Sequence, residues 1–186
     1  TISTRLQQSG IVGEEKNALL LWLTMLSRRQ SHPLSAICLA RSGTGKSHLM
    51  QTVAHCISEQ DRIQQTQLTE SSLYYYKNGL RNKVLLIEDI DGAGDGVLYV
   101  LAELISNQKI SRQIAEKGKN GEMRTVDRVT HGPVSVVFCT TREVVYEDNS
   151  NRSLLIQLDE SKAQDERVMS YLQAKAAGKL DYHSEQ

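Results

Sequence analysis

Residues 40–47 read ARSGTGKS and have the composition of a phosphate-binding turn. The apolar residues 36–39 favour a strand before the turn, and residues 48–54 favour a helix after it. At such a junction the backbone N–H groups and the helix N-terminus face an anion. The Lys46 ammonium can reach the terminal phosphates of a nucleotide, and the Ser47 hydroxyl can bind Mg²⁺.

The turn departs at one position from the usual G-x-x-x-x-G-K-[ST] pattern, because Ala40 replaces the first glycine. Alanine is the smallest change available there, so the turn remains a predicted site for ATP and Mg²⁺. The candidate nucleotide-binding residues of this segment are Ser42, Gly43, Thr44, Gly45, Lys46, Ser47 and His48.

Two carboxylates, Glu88 and Asp89, follow the continuous apolar run 84–87. A short run of this kind is typical of a buried parallel strand, and ligands of open α/β sheets bind at the carboxyl ends of the strands. One acid is expected to assist Mg²⁺ and the other to orient or deprotonate the attacking water. The usual order is Asp then Glu, and the reversed order here leaves the two roles open.

The composition predicts a cytoplasmic domain with its own core, spanning residues 1–186 and excised from a longer protein. The 22 basic and 22 acidic residues balance, so only a local basic cluster could bind a polyanion. No apolar run is long enough to cross a bilayer, which predicts no membrane partner. Cys38, Cys56 and Cys139 are expected to be buried, reduced thiols.

The elements that must position these residues alternate along the chain, which predicts an α/β fold with a parallel sheet. A first helix over 17–29 is expected to bury Leu19, Leu20, Trp22, Leu23 and Leu26. Predicted strands cover 35–39, 83–87, 133–139 and 153–158, the last of them buried; predicted helices cover 47–58, 97–106 and 160–177. Residues 60–70 are expected to form a loop or a weak edge strand. The three tyrosines at 74–76 are expected to pack rather than stack on bases, and the charges of 160–166 to form a solvated helix face.

Residues 109–129 interrupt the alternation, and their pattern predicts a β-hairpin with its turn at 118–121. Long cationic side chains on a projecting hairpin suit phosphate backbones. A solvated hairpin whose charges prevent edge pairing is the alternative. The candidate DNA-binding residues are Arg112, Lys117, Lys119 and Arg124.

These motifs together resemble an AAA+ ATPase domain of the MCM helicase type, as found with CHC2-type zinc-finger primases of bacterial mobile elements. Residues 11–21 are similar to the segment that lies over adenine, which implies contacts from Ile11, Val12 and Gly13. Residues 135–141 resemble the sensor-1 strand, with Thr141 in the position of the polar sensor. Residues 151–159 resemble the segment that carries the arginine finger, which gives that role to Arg152.

The resemblance implies an AAA+ P-loop core with a five-stranded parallel sheet, a hairpin insertion before the sensor-1 strand and a helical lid that is mostly absent. It implies an ATP-hydrolysing DNA helicase or translocase in mobile-element replication, assembled as a ring, a hexamer, with a primase domain or subunit as a further partner. Two alternatives are a protein-remodelling AAA+ ATPase, whose loop insertion is apolar at its tip, and a nucleotide-dependent assembly module with little turnover.

Overall fold

Five parallel strands form the central sheet, and the computed structural model describes residues 9–76, 79–117, 122–142 and 151–178. In the described ranges the strands, of which β4 and β5 form a separate two-stranded sheet, are β1 Ala36–Leu39, β2 Arg62–Gln65, β3 Lys83–Ile87, β4 Lys109–Lys117, β5 Met123–His131, β6 Val134–Thr140 and β7 Leu154–Gln157. The helices are α1 Glu15–Leu26, α2 Lys46–Ala54, α3 Asp95–Asn107 and α4 Lys162–Ala176, with shorter 3₁₀ turns at Ser27–Arg29, Glu59–Asp61 and Glu70–Tyr74.

The sheet has the strand order β2-β3-β6-β1-β7, and all of its pairs are parallel. Alternate side chains of the central strands enter two separate cores, because successive residues of a strand point to opposite faces. Val84 and Leu86 pack with α1 and α2, whereas Leu85 and Ile87 pack with α3. Burial on both faces explains why these strands are continuous apolar runs in the sequence.

Helix α1 buries a different face from the predicted one. Ala18, Leu21 and Met25 enter the core, whereas Leu19, Leu20, Leu23 and Leu26 are 40–47% exposed. Of the five predicted residues, Trp22 is partly buried and packs against the core as expected. The helix is apolar around most of its circumference, and the sheet accepts a single stripe spaced by three and four residues. Apolar spacing alone therefore could not select the buried stripe.

Two further predictions about burial are wrong. Cys56 is exposed, because helix α2 ends at Ala54 and the chain tightens there into i→i+3 hydrogen bonds. Strand β7 is the sheet edge, and its Leu154 and Leu155 are exposed, although Ile156 is buried as expected. An edge strand has a neighbour on one side only, so its apolar residues are not all covered.

The interruption between α3 and β6 is an antiparallel hairpin of β4 and β5, as predicted. The hairpin turn at 118–121 lies outside the described residues. Residues 62–65, for which a loop or a weak strand was predicted, form the parallel edge strand β2. No helix in the described ranges is both long and apolar enough to span a bilayer.

An ion pair fastens the end of α1 to the turn before β2. The Arg28 guanidinium is nearly buried and lies 2.9 Å from the Asp61 carboxylate, while the neighbouring Arg29 is exposed and 3.6 Å away. The Arg28 hydrogen bond is the main cause that lowers the pKa of Asp61. A lowered pKa means that the pair stabilises the fold above the ordinary Asp pKa and loses this contribution in acid.

We expect Asp61→Asn to lower the melting temperature at pH 7 by about 2–4 °C, because Arg28 loses its anionic partner. The difference from the wild type should shrink as the pH falls from the ordinary Asp pKa, about 3.9, through the lowered pKa of Asp61, because the wild-type carboxylate then becomes protonated too. Arg29→Ala is the matched control and should change little. Thermal unfolding followed by circular dichroism measures all three proteins, and a pH-independent difference would contradict the role of the carboxylate charge.

Candidate functional site

The predicted phosphate-binding turn connects β1 to α2 at the carboxyl edge of the sheet. Gly45 directly precedes α2 and has a φ of 91°, a conformation that side-chain-bearing residues rarely adopt. The left-handed residue reverses the chain so that α2 begins at Lys46. The free N–H groups of the first helical turn therefore border the loop, where they can bind an anion.

The Lys46 side chain folds back over this loop. Its Nζ donates hydrogen bonds to the carbonyl oxygens of Ala40 and Arg41, both at 2.7 Å, and the residue is only 9% exposed. The Thr44 hydroxyl donates to the same Arg41 carbonyl. An ammonium group has three N–H donors. Lys46 is thus positioned by two hydrogen bonds and keeps one donor for a phosphate oxygen.

Glu88 and Asp89 follow β3 at the same sheet edge but differ in their surroundings. The Glu88 Oε1 accepts hydrogen bonds from the Gln51 amide of α2 at 2.9 Å and the Gln64 amide of β2 at 2.7 Å. The Asp89 carboxylate is exposed and accepts the Asp91 backbone N–H at 2.9 Å. The first acid is therefore held by two side chains, whereas the second is open to solvent.

A third carboxylate, Asp91, joins this edge of the sheet and was not among the predicted site residues. It accepts hydrogen bonds from the hydroxyl groups of Thr140 and Thr141 and from the Thr141 backbone N–H. Partial burial alone would raise the pKa of Asp91, but these hydrogen bonds and the nearby Arg142 charge together outweigh it and lower the pKa. In the sequence, Asp91 is indicated by its position two residues after Asp89, close to the end of the same strand.

These groups line one cavity of about 670 Å³, which we call the phosphate pocket. It is formed by the turn, the three acids and the end of β6, so the structure brings together predicted residues that are up to about 100 positions apart in the sequence. Its lining residues are Ser42, Gly43, Gly45, Lys46, Ser47, His48, Glu88, Asp89, Asp91, Cys139, Thr140 and Thr141.

The donors in the phosphate pocket fit Mg²⁺. The Ser47 hydroxyl and the carboxylates of Glu88 and Asp89 are hard oxygen ligands, and Mg²⁺ at phosphates uses only one or two carboxylates from the protein. The pocket therefore suits a metal ion that is bound jointly by protein oxygens and phosphates.

A second, mostly apolar cavity of about 320 Å³ adjoins the loop, and we call it the base pocket. Ile11 and Val12 line it from the N-terminal segment, and His48 lines both pockets. Across from them, α4 contributes Tyr171 and Leu172. The dimensions and the apolar lining suit a flat heterocyclic base next to the phosphates.

Gly13, predicted to contact adenine, is not part of the base-pocket lining. A side chain at this position would overlap the side-chain amide of Gln164. The Gln164 amide donates to the Val12 carbonyl at 2.6 Å and is buried. Gly13 therefore serves the packing of α4 against the N-terminal segment, and this packing shapes the base pocket.

The charged residues Lys162, Asp165 and Glu166 are exposed, in agreement with the predicted solvated helix face, whereas Glu160, just before the helix, makes specific contacts. The Glu160 carboxylate accepts the Arg41 backbone N–H and forms an ion pair with the Arg41 side chain at 2.8 Å. Gln164, in the first turn of α4, is buried. The phosphate-binding turn and the start of α4 are thus joined directly, although 119 positions separate Arg41 from Glu160.

Arg152 lies far from the phosphate pocket of its own chain. It is exposed in the turn before β7, at the amino end of that strand, whereas the pocket lies at the carboxyl ends. Five residues of extended chain separate these two edges by roughly 17 Å. The position agrees with the expectation that this guanidinium cannot reach the phosphates bound to its own chain.

The strand register places Arg112 and Arg124 on one face of the hairpin and Lys117 on the other. Arg112 lies on the inner face, where it is ion-paired with Glu70 at 3.2 Å and lies over the Tyr74 ring. Arg128, on the same face, pairs with Glu116 and lies over Tyr75.

Lys117 and Arg124 are exposed near the end of the hairpin, and Lys119 lies outside the described residues. Two of the three tyrosines, Tyr74 and Tyr76, pack against the core as predicted, whereas Tyr75 is half-exposed.

Comparison with known proteins identifies the architecture. A family model described as the MTBMA_p00010 P-loop domain matches residues 5–186. The Thermotoga maritima RuvB Holliday junction branch migration motor is similar in structure, with a TM-score of 0.60 and 15% sequence identity. The match covers 90% of this chain and 52% of the RuvB chain, so the chain spans about half the length of that protein. No curated protein sequence matches. These findings confirm the predicted α/β P-loop fold with a five-stranded parallel sheet flanked by helices.

Proposed function

Because the chain belongs to the MTBMA_p00010 P-loop domain family, we propose that it is the ATP-hydrolysing core of an AAA+ motor. The observation that carries this proposal is the phosphate pocket, which places Lys46, Ser47 and three carboxylates around one cavity beside a base pocket. A site for phosphate binding alone would need cations and N–H groups. Carboxylates facing the same cavity are useful when a metal ion and an attacking water must also be positioned.

The surroundings of the two acids support a division of roles. Glu88 is held by the amides of Gln51 and Gln64, and a fixed carboxylate suits a metal ligand next to Ser47. Asp89 is exposed in the pocket, and among the described residues its carboxylate accepts only the Asp91 backbone N–H, so it is accessible to water as the base. Mg²⁺, when bound, neutralises developing charge on the β- and γ-phosphates. Lys46 and the α2 N-terminus hold the same phosphates.

We further propose that the domain assembles as a ring, a hexamer, and moves DNA, as an MCM-like helicase or translocase in the replication of a mobile element, with a primase as partner. The resemblance of the motif order to that class supports this proposal. RuvB, which shares the fold, is itself a Holliday junction branch migration motor. The exposed cations at the end of the hairpin supply a surface for the DNA backbone.

The hairpin geometry refines which cations are suited to DNA. Arg112 is engaged with Glu70 and Tyr74, so we assign it to holding the hairpin against the 3₁₀ turn at Glu70–Tyr74. Lys117 and Arg124 have no ion-pair partner among the described residues. Their side chains can therefore reach a phosphate without breaking an existing pair.

We expect the double variant Lys117→Ala/Arg124→Ala to weaken DNA binding and to reduce the salt dependence. Each lost phosphate contact makes the negative slope of log K against log salt shallower by about 0.9 for duplex DNA. Fluorescence anisotropy of labelled DNA, measured over a salt series, gives both quantities. The double variant Arg81→Ala/Lys162→Ala is the control, because it removes the same charge from exposed positions outside the hairpin.

An unchanged affinity and slope in the hairpin variant would argue against DNA as the partner of this surface. The outer face also presents Met123, which is 67% exposed, and Val129. These apolar side chains favour the second candidate function, a protein-remodelling ATPase. In that case a Met123→Ser variant should lose stimulation by the protein substrate while DNA affinity stays the same.

A further inference from the structure

Asp91 connects the acidic loop after β3 with the end of β6. Its backbone N–H donates to Asp89, and its side chain accepts three hydrogen bonds from the Thr140–Thr141 pair. Its backbone carbonyl also accepts from the Arg142 guanidinium at 2.8 Å. Two loops that are 50 positions apart in the sequence are thus joined at a single carboxylate inside the phosphate pocket.

The direction of these hydrogen bonds restricts what Thr141 can do. A threonine hydroxyl has one proton to donate and two lone pairs that accept. A carboxylate only accepts, so the Thr141 hydroxyl, 2.7 Å from Asp91 Oδ2, donates its proton there. The hydroxyl cannot at the same time donate to a phosphate oxygen. It can still accept a hydrogen bond from a water molecule in the pocket.

Thr140 reinforces the arrangement. Its hydroxyl also donates to Asp91, and its oxygen accepts the Arg142 backbone N–H at 3.1 Å. The Thr141 backbone N–H donates at 2.7 Å to the carboxylate oxygen that also accepts from its hydroxyl. The two hydrogen bonds together fix the orientation of the Thr141 side chain. Hydrogen bonds to an ionised group are stronger than neutral ones, so one carboxylate can hold both threonines in place.

We propose that Asp91 is a positioning residue that orients the Thr141 hydroxyl as an acceptor for the attacking water. This inference rests on the proposed ATPase function and deepens it, because it selects the water rather than the γ-phosphate as the partner of Thr141. In hydrolysis the water oxygen bonds to the γ-phosphorus, and the bond to the β,γ-bridging oxygen breaks with its electron pair on ADP. The proton lost by the water passes to Asp89 and then to the phosphate products.

The inference predicts a loss of turnover without a loss of affinity. Asp91→Ala should lower kcat by about 10–100-fold, the cost of misplacing a reacting group, and change the ATP dissociation constant by less than about 2-fold. Thr141→Val, which keeps the backbone N–H bond to Asp91, should lose a similar factor. Thr141→Ser, which restores the hydroxyl, should recover most of the activity. Asp95→Asn, an exposed acid four residues further on, is the matched control and should resemble the wild type.

The double variant Asp91→Ala/Thr141→Val separates positioning from general structural damage. If Asp91 acts through the Thr141 hydroxyl, the double variant should be no slower than the slower single variant. The inference would be overturned if the losses of the two single variants multiplied in the double variant. It would also be overturned if Asp91→Ala were as active as the Asp95→Asn control, or if its ATP affinity fell as much as its turnover.

A readout without turnover is the amide proton resonance of Thr141. It should move upfield in Asp91→Ala, because the hydrogen bond to the carboxylate is lost, and an unmoved resonance would also overturn the inference. If the wild-type assembly binds ATP but releases no phosphate, the proposed ATPase function fails, and the assignment of the water to Thr141 fails with it. If the wild type hydrolyses ATP and the Asp91 variants behave like the control, only the role of Asp91 is contradicted.

Discussion

Replacement of Lys46 by alanine should abolish ATP binding. The side chain supplies the cation for the β- and γ-phosphates, and it is held over the loop by the carbonyl oxygens of Ala40 and Arg41. Isothermal titration calorimetry with an ATP analogue should show no saturable binding at concentrations that saturate the wild type. An unchanged dissociation constant would disprove the assignment of the phosphate-binding turn.

Two further variants distinguish this loss from unfolding and from a defect in the chemical step. Asp89→Asn should bind ATP normally and lose hydrolysis, since its carboxylate is assigned to the water rather than to the phosphates. Lys162→Ala removes an exposed lysine of α4 and should retain both properties. The melting temperature of Lys46→Ala should remain close to that of the wild type, which shows that lost binding reflects the missing ammonium.

Arg152→Ala should leave ATP binding nearly intact and remove most turnover. A cationic finger from a neighbouring subunit stabilises charge on the transferring γ-phosphoryl group and contributes about 10³–10⁵ in rate. The residue lies at the amino end of β7, away from the phosphate pocket of its own chain, so its contribution must come from a neighbour. Steady-state phosphate release and nucleotide affinity, measured on the same preparation, test the two parts of this expectation.

Mixed assemblies test whether the arginine acts between subunits. An Arg152→Ala subunit retains a complete phosphate pocket, and a Lys46→Ala subunit retains its finger, so mixing the two inactive proteins should restore partial activity. Full activity of Arg152→Ala alone would remove the residue from the catalytic machinery. A mixture that co-assembles without recovering activity would argue against action in trans.

Features built from neighbouring residues were predictable from the sequence. The phosphate-binding turn is a contiguous segment whose glycines and Lys46 determine its local geometry, and Glu88 follows a strand that is apolar on both faces. The β4–β5 hairpin likewise follows from local alternation and a turn. In each case the backbone conformation and the chemistry reside in the same short stretch, so no knowledge of distant contacts was needed.

Only the tertiary structure decided which distant polar groups meet. Glu160 pairs with Arg41, and Asp91 accepts a hydrogen bond from Thr141. Neither pair could be predicted from nearby residues, because the identity of a charged or hydroxyl residue does not indicate whether its side chain is solvated or bonded to a distant residue. The same limit applies to burial. Helix α1 has more apolar surface than the sheet can cover, and Leu21 rather than Leu20 enters the core because packing against the strands, not hydrophobicity, selects the stripe.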